Sequence, residues 1–265
     1  MATFLKPDKI LTVKVGNSTL TIKQKIIPDG TLSTKDICEY VKTGQKIKPQ
    51  AKLSGGIGKP KGITIHNTEM IDVPDGTNPA EQYCRATFPN LNMGGVVVHF
   101  WIYKSEIWQQ LSEDERGWHA ADGSTRRKSQ RADGSLIGGN LDTIALEIIE
   151  SGEDKETEET AAKLVAYLLD KYGLSPKTDI YTHQYFKPSK ACPYYIIPHL
   201  NRFIKMVTDF YDEIQTAKKP VVPAPTAPEI KKWYRVQVGA FSVKSNAEAL
   251  VDKLQKQGYK DAYVV

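Results

Sequence analysis

Thr143 to Ile149 reads TIALEII, a nearly unbroken apolar run. Such a run does not alternate, so it predicts an inner strand covered on both faces, not one with a wet side. Val96 to Tyr103, VVVHFWIY, makes the same demand. Strands of this kind need a layer above and a layer below, and the chain supplies helices to build them. From Lys155 to Tyr172, the residues Ala161, Leu164, Val165, Leu168 and Tyr172 recur at helical spacing on one face. Gly173 is placed to end that helix. Pro198 to Thr216 predicts a second long helix, with Leu200, Phe203, Ile204, Val207, Tyr211 and Ile214 on its apolar stripe. Strands and helices that interleave this way predict an α/β fold with a mixed central β-sheet flanked by helices.

Shorter elements fill the rest. Residues 10–26 predict a β-hairpin turning near Gly16 and Asn17. Residues 34–43 predict a short helix, and 44–61 a loop rich in Gly, Lys and Pro. Gly62 to His66 is a short strand, Pro79 to Phe88 a helix, and Asp179 to His183 another short strand. Asp122 to Asn140 is polar and carries Arg126, Arg127, Lys128 and Arg131. It is either a solvated loop or a basic rim meeting an anionic polymer.

One boundary is plain. Pro220, Pro223, Pro225 and Pro228 fix φ and remove backbone donors, so residues 217–231 predict an extended spacer. The chain then divides into an N-terminal extension of open role over 1–57, a catalytic-sized domain over 58–216, the Pro-rich linker over 217–231, and a small C-terminal unit over 232–265. In that unit Trp233 to Phe241 and Ala262 to Val265 read as strands. Ser245 to Gly258 reads as a helix, with Ser245 as N-cap and Glu248 as its capping-box partner. This βαβ half-domain is too small to bury an adequate core alone.

Charge and cysteines narrow the class. There are 36 basic and 31 acidic residues, a net charge of +5. That is too mild for duplex DNA as the main target, yet it suits approach to an anionic polymer. Cys38, Cys84 and Cys192 are too few for a disulfide framework. Met1 to Asn17 holds no apolar region of signal-peptide length, and no run of 18 apolar residues exists, so no membrane insertion is expected. The expectation is synthesis in the cytoplasm, with another agent releasing the protein if it works outside.

Several residues could carry chemistry. His66 and His183 each end a short strand, and Cys192 follows nine residues after the second. Singly, each fits a structural role. Together they could offer three zinc ligands and leave a fourth position for water. Glu147 lies inside the apolar strand 144–149, so it must be paired, protonated or facing a cleft. It is either half of a structural salt bridge or a general base. Glu150, at the strand end, is expected in solvent. Lys190 sits two residues before Cys192 and could stabilise an oxyanion. His119 suits a cleft role, His99 a satisfied core histidine, and His199 a structural place on the last helix.

These residues fall into an ordered series. Ile63-Thr64-Ile65-His66-Asn67-Thr68, Val98-His99-Phe100, Trp118-His119-Ala120, Thr143 to Ile148, and Thr182-His183-Gln184 followed by Lys190-Ala191-Cys192-Pro193 resemble the motifs of the type-2, zinc-dependent N-acetylmuramoyl-L-alanine amidases. The branch they resemble is that of Gram-positive bacteria and their phages, which carries Cys where many relatives carry Asp. The likeness covers about residues 58–215. It implies that His66, His183 and Cys192 bind one Zn2+ and that Glu147 relays the proton. It further implies that Lys190 steadies the oxyanion and His119 meets the substrate. The bond implied is the amide between the lactyl group of N-acetylmuramic acid and L-alanine in peptidoglycan. The partners implied are the glycan strand and its stem peptide. An endolysin or autolysin acting at the cell wall, released by host lysis or a holin, is the setting that follows.

The tail is similar to the sporulation-related repeat (SPOR) domain, which binds glycan strands stripped of peptide. Tyr234 to Phe241, Ala247 to Leu250 and Gly258-Tyr259 carry that likeness. A non-catalytic peptidoglycan-binding protein is the alternative, but the presence of Cys192 and Glu147 counts against it. Nucleic-acid binding by the basic tail is disfavoured, because its aromatics form no stacking motif.

Overall fold

A computed structural model of the chain describes residues 5–28, 52–73, 76–87, 96–123, 127–218 and 234–265. It separates into two compact units, Met1–Lys219 and Pro220–Val265. The helix expected over 34–43, Cys38 and most of the linker lie outside the described residues.

The first unit is built on a seven-stranded mixed sheet. Its strands are β1 (Lys9–Val15), β2 (Ser18–Gln24), β3 (Gly62–Thr68), β4 (Phe100–Tyr103), β5 (Glu106–Gln109), β8 (Thr143–Ile149) and β9 (Ile180–Thr182), in the order β1-β2-β5-β4-β8-β3-β9. A small separate hairpin joins β6 (Ser129–Gln130) to β7 (Leu136–Ile137). The helices are α1 (Leu53–Gly56), α2 (Pro79–Thr87), α3 (Gly139–Asp142), α4 (Lys155–Tyr172), α5 (His183–Phe186) and α6 (Leu200–Lys218). The α/β expectation is met.

Every residue of β8 is buried, as its composition requires. Because side chains alternate, Ile144, Leu146 and Ile148 face one side and Ala145, Glu147 and Ile149 the other. The first side joins the main core, with Ile63, Ile65, Phe100 and Ile102 packed against Ala161, Leu164, Val165 and Leu168 of α4 and Phe203 and Val207 of α6. Asp154 caps α4 by accepting from the Glu156 and Thr157 amides, and Gly173 ends it at φ 66°. A residue with a Cβ would be strained there. On the second side Ala145 and Ile149 meet Trp101, Trp108 and Ala80, Tyr83 and Cys84 of α2. That side leaves room for polar chemistry.

The N-terminal segment 9–24 is not a mere appendage. β1 and β2 pair antiparallel in the register Lys9↔Gln24 to Val15↔Ser18, and β2 pairs parallel with β5. Val15, Leu20 and Ile22 are buried in the main core. The expected hairpin therefore extends the sheet.

Four expectations need correction. The strand expected from Val96 begins only at Phe100. His99 interrupts it: its Nδ1 accepts from the Ala145 amide at 3.0 Å and its Nε2 lies 2.9 Å from the Glu115 carbonyl. A side chain thus stands in a ladder position, which satisfies the core histidine. Glu150 is not in solvent; it is 1% exposed and accepts from Asn67 Nδ2 at 2.7 Å. Arg127 and Arg131 do not form an open basic rim. Arg127 binds Asp142 through two nitrogens and Arg131 binds Asp179, pinning the β6–β7 segment to the body. The fourth correction concerns the second unit.

In that unit, residues 234–241 and 262–265 form no strand among the described residues. A strand needs a partner to satisfy its donors and acceptors, and a lone pair of segments with one helix supplies no stable sheet. The helix α7 (Lys244–Lys256) does form, with Val243 at its N-cap; Ser245 lies inside the first turn and gives no cap bond. No residue of α7 is buried. No helix among the described residues is long and apolar enough to cross a membrane.

Candidate metal centre

The sheet register builds the site. β3 runs parallel to β8 with His66 opposite Glu147, and parallel to β9 with Ile65 opposite Thr182. Cα partners in a parallel pair share a face, so His66 and Glu147 stand side by side. His183, the residue after Thr182, emerges one step on, beside His66. Three adjacent strand ends thus deliver Glu147, His66 and His183 in a row at the carboxyl edge, where open α/β sheets bind their ligands.

Cys192 arrives by a loop fixed to the same edge. The Gln184 amide donates to the Cys192 carbonyl at 2.9 Å, and the Tyr195 amide donates to Asn67 Oδ1 at 3.0 Å. Cys192 Sγ lies 3.8 Å from His66 Nδ1, and His66 Nδ1 lies 3.0 Å from His183 Nδ1. One ligand atom from each of His66, His183 and Cys192 falls within 4.8 Å of the others, and all three residues are buried. Two imidazoles and a thiol are the donor set of a borderline-soft cation such as zinc.

The electrostatics suit a cation. Burial, with His119, His183 and Lys190 adding to it, holds His66 well below the usual histidine value. Burial and Lys190 bring His183 down to about 4. Both shifts favour the neutral ring, the form in which an imidazole nitrogen can ligate a metal. Burial, aided by Glu147, pushes the Cys192 thiol up to about 12. A bound cation would have to displace that proton, which couples metal binding to pH.

Glu147 is buried, and its Oε2 has no hydrogen-bond partner among the described residues. Burial raises its carboxyl to about 8, and Lys190 pulls the other way. Among the described residues no salt bridge holds it, and it stands beside His66 of the histidine cluster. Lys190 itself is exposed at the edge, close enough to act electrostatically on His66, His183, Glu147 and Cys192.

His119 is also buried. Its Nδ1 lies 3.1 Å from His66 Nε2, while its Nε2 has no hydrogen-bond partner among the described residues. Asn140 holds this turn: its Oδ1 accepts from the His119 and Ala120 amides, both at 2.8 Å. Asp122 in turn accepts from the Gly139 and Asn140 amides at the start of α3. A Cβ on Gly139 would overlap Ala120 and the Phe186 ring. Sequence reasoning missed Asn140 and Asp122; both lie in a stretch read as loop. The available signal was Gly138-Gly139-Asn140, three small or turn-forming residues directly before a buried strand.

The fold is that of amidase catalytic domains. The catalytic domain of XlyA superposes with a TM-score of 0.51 at 23% identity, covering 70% of this chain and 98% of that one. A mutant endolysin from Bacillus subtilis gives 0.51 at 25% identity, covering 71% and 99%. The N-acetylmuramoyl-L-alanine amidase family profile matches residues 57–195, and the chain belongs to that family. A SPOR domain profile matches residues 209–265. Among curated proteins, the N-acetylmuramoyl-L-alanine amidase CwlH of B. subtilis is 28% identical over 168 residues, which is 63% of this chain and 60% of CwlH. XlyA of the same species is 28% identical over 159 residues, 59% of this chain and 46% of XlyA. The matched region thus spans about half of these relatives' length.

Proposed function

We propose that the chain hydrolyses the amide joining the lactyl group of N-acetylmuramic acid to L-alanine in peptidoglycan, with one Zn2+ held by His66, His183 and Cys192. The observation that carries this reading is the in-register placement of Glu147 beside a buried His-His-Cys cluster. Zinc at that cluster would polarise the scissile carbonyl and lower the pKa of a bound water toward neutrality.

The chain's own residues supply the rest. Glu147, its carboxyl raised by burial and drawn back by Lys190, takes the proton of the attacking water and returns it to the leaving nitrogen. Lys190 places a positive charge beside the carbonyl oxygen as it becomes negative. His119 Nδ1 steadies the His66 ring, and its unpartnered Nε2 is offered to the substrate. The buried wall of Trp101, Ala145 and Ile149 keeps bulk water from this side of the sheet.

The partners in this reading are the glycan strand and the stem peptide, with the SPOR-like unit meeting glycan. The likeness to a B. subtilis endolysin supports action at the cell wall in a phage or prophage setting, with release by host lysis. Thorough chelation should abolish the release of new L-alanine amino termini from purified walls, and zinc should restore it. Full activity after chelation would remove the metal from the account.

A further inference from the structure

Just past the end of β3, a second group of side chains stands outside the metal cluster. Glu69 Oε1 accepts from Tyr194 Oη at 3.0 Å and from Tyr195 Oη at 3.0 Å, and Glu69 Oε2 accepts from Ser151 Oγ at 2.9 Å. The Tyr194 and Tyr195 rings stack at 4.4 Å. Ser151 is itself fixed by the Met70 amide at 2.9 Å. Three hydroxyls from two segments thus hold one carboxylate in place.

All the donors to Glu69 are neutral hydroxyls. Among the described residues no lysine or arginine forms a salt bridge with it. The carboxylate is exposed, and Tyr194 is 52% exposed beside it. A fixed carboxylate next to an open aromatic face is receptive to an ammonium group, by ion pairing and by cation–π attraction.

The position matters. Glu69 is three residues beyond His66, at most about 10 Å along an extended strand. Two residues of an extended stem peptide reach roughly 7 Å from the scissile amide, before the third side chain adds its own length. We infer that Glu69, Tyr194 and Tyr195 form a specificity subsite for the side-chain ammonium of the diamino acid at the third position of the stem peptide. This inference rests on the amidase reading above.

The test uses the full chain and two soluble muramyl tripeptides, one with a free side-chain amine and one N-acetylated there. The wild-type protein should cleave both at the lactyl–alanine bond, with a KM about fivefold lower for the free amine. Glu69→Gln should erase that preference, raising the KM for the free amine to that for the acetylated substrate. Tyr194→Leu should weaken the preference without touching the carboxylate. A preference that survives Glu69→Gln, or equal KM values in the wild type, overturns the subsite and leaves the amidase reading standing. Cleavage of neither substrate overturns the amidase reading, and the subsite with it. A Glu69 that merely ties down the loop would shift thermal stability and leave the KM ratio as it was.

Discussion

At the residue scale, Glu147 inside β8 and Glu150 just past its end are both carboxyls raised by burial. Glu147→Gln removes the proton relay but no ligand. It should lower cleavage by about 10² to 10⁴-fold while the metal content stays at one per chain, read by elemental analysis. Activity within twofold of the wild type would dismiss Glu147 from the chemistry. Cys192→Ser should instead lose the metal. Glu150 tests linkage. Burial raises its carboxyl from an ordinary value of 4.5 to about 7. Between those values the native state binds more protons than the unfolded state, so stability falls as pH rises. The contribution is fully present below pH 4.5 and lost above pH 7. Glu150→Gln should flatten the fall in Tm between pH 5 and pH 8 by about 2–4 °C. An unchanged slope would contradict this assignment. The sequence made Glu147 legible, because a charge inside TIALEII has few bland explanations. It hid Glu150, since a carboxylate at a strand end is ordinarily wet, and here Asn67 and the Asp154 amide make its burial tolerable.

At the element scale, periodicity exposed the strands and helices that touch the core, and missed what tertiary pairing decides. TIALEII and the stripe of α4 are self-announcing. By contrast, β4 is cut short by a histidine side chain bonding to the neighbouring strand, which no local pattern encodes. The basic segment before α3 misled for a related reason: whether an arginine faces solvent depends on a carboxylate far along the chain. Asp142 is fully buried and Arg127 only partly so. Arg127→Ala should destabilise the first unit by about 2–3 kcal/mol in urea titration, less than a fully buried pair would lose. A change under 0.5 kcal/mol would mean the pair is ornamental. The N-terminal hairpin makes a similar claim. Ile22 is 1% exposed in the main core, so Ile22→Ala should cost about 2–4 kcal/mol. A neutral result would detach the hairpin from the fold.

At the scale of the whole molecule, the chain joins an amidase-family unit to a SPOR-like one, and the two are compact separately. The proline run made that division readable from sequence. The helix of the second unit was readable, but its expected strands misled, because strand pattern alone cannot supply a ladder partner. Deleting residues 220–265 should leave metal content and the cleavage of soluble muramyl peptides within about twofold. Loss of either would tie the second unit to the catalytic fold. The central claim is the bond that is cut, and mass spectrometry of fragments released from defined peptidoglycan reads it directly. The account predicts stem peptides with free L-alanine amino termini and glycan strands with intact, peptide-free lactyl groups. Fragments cut within the peptide or the glycan, or no fragments from the zinc-loaded protein, would contradict it.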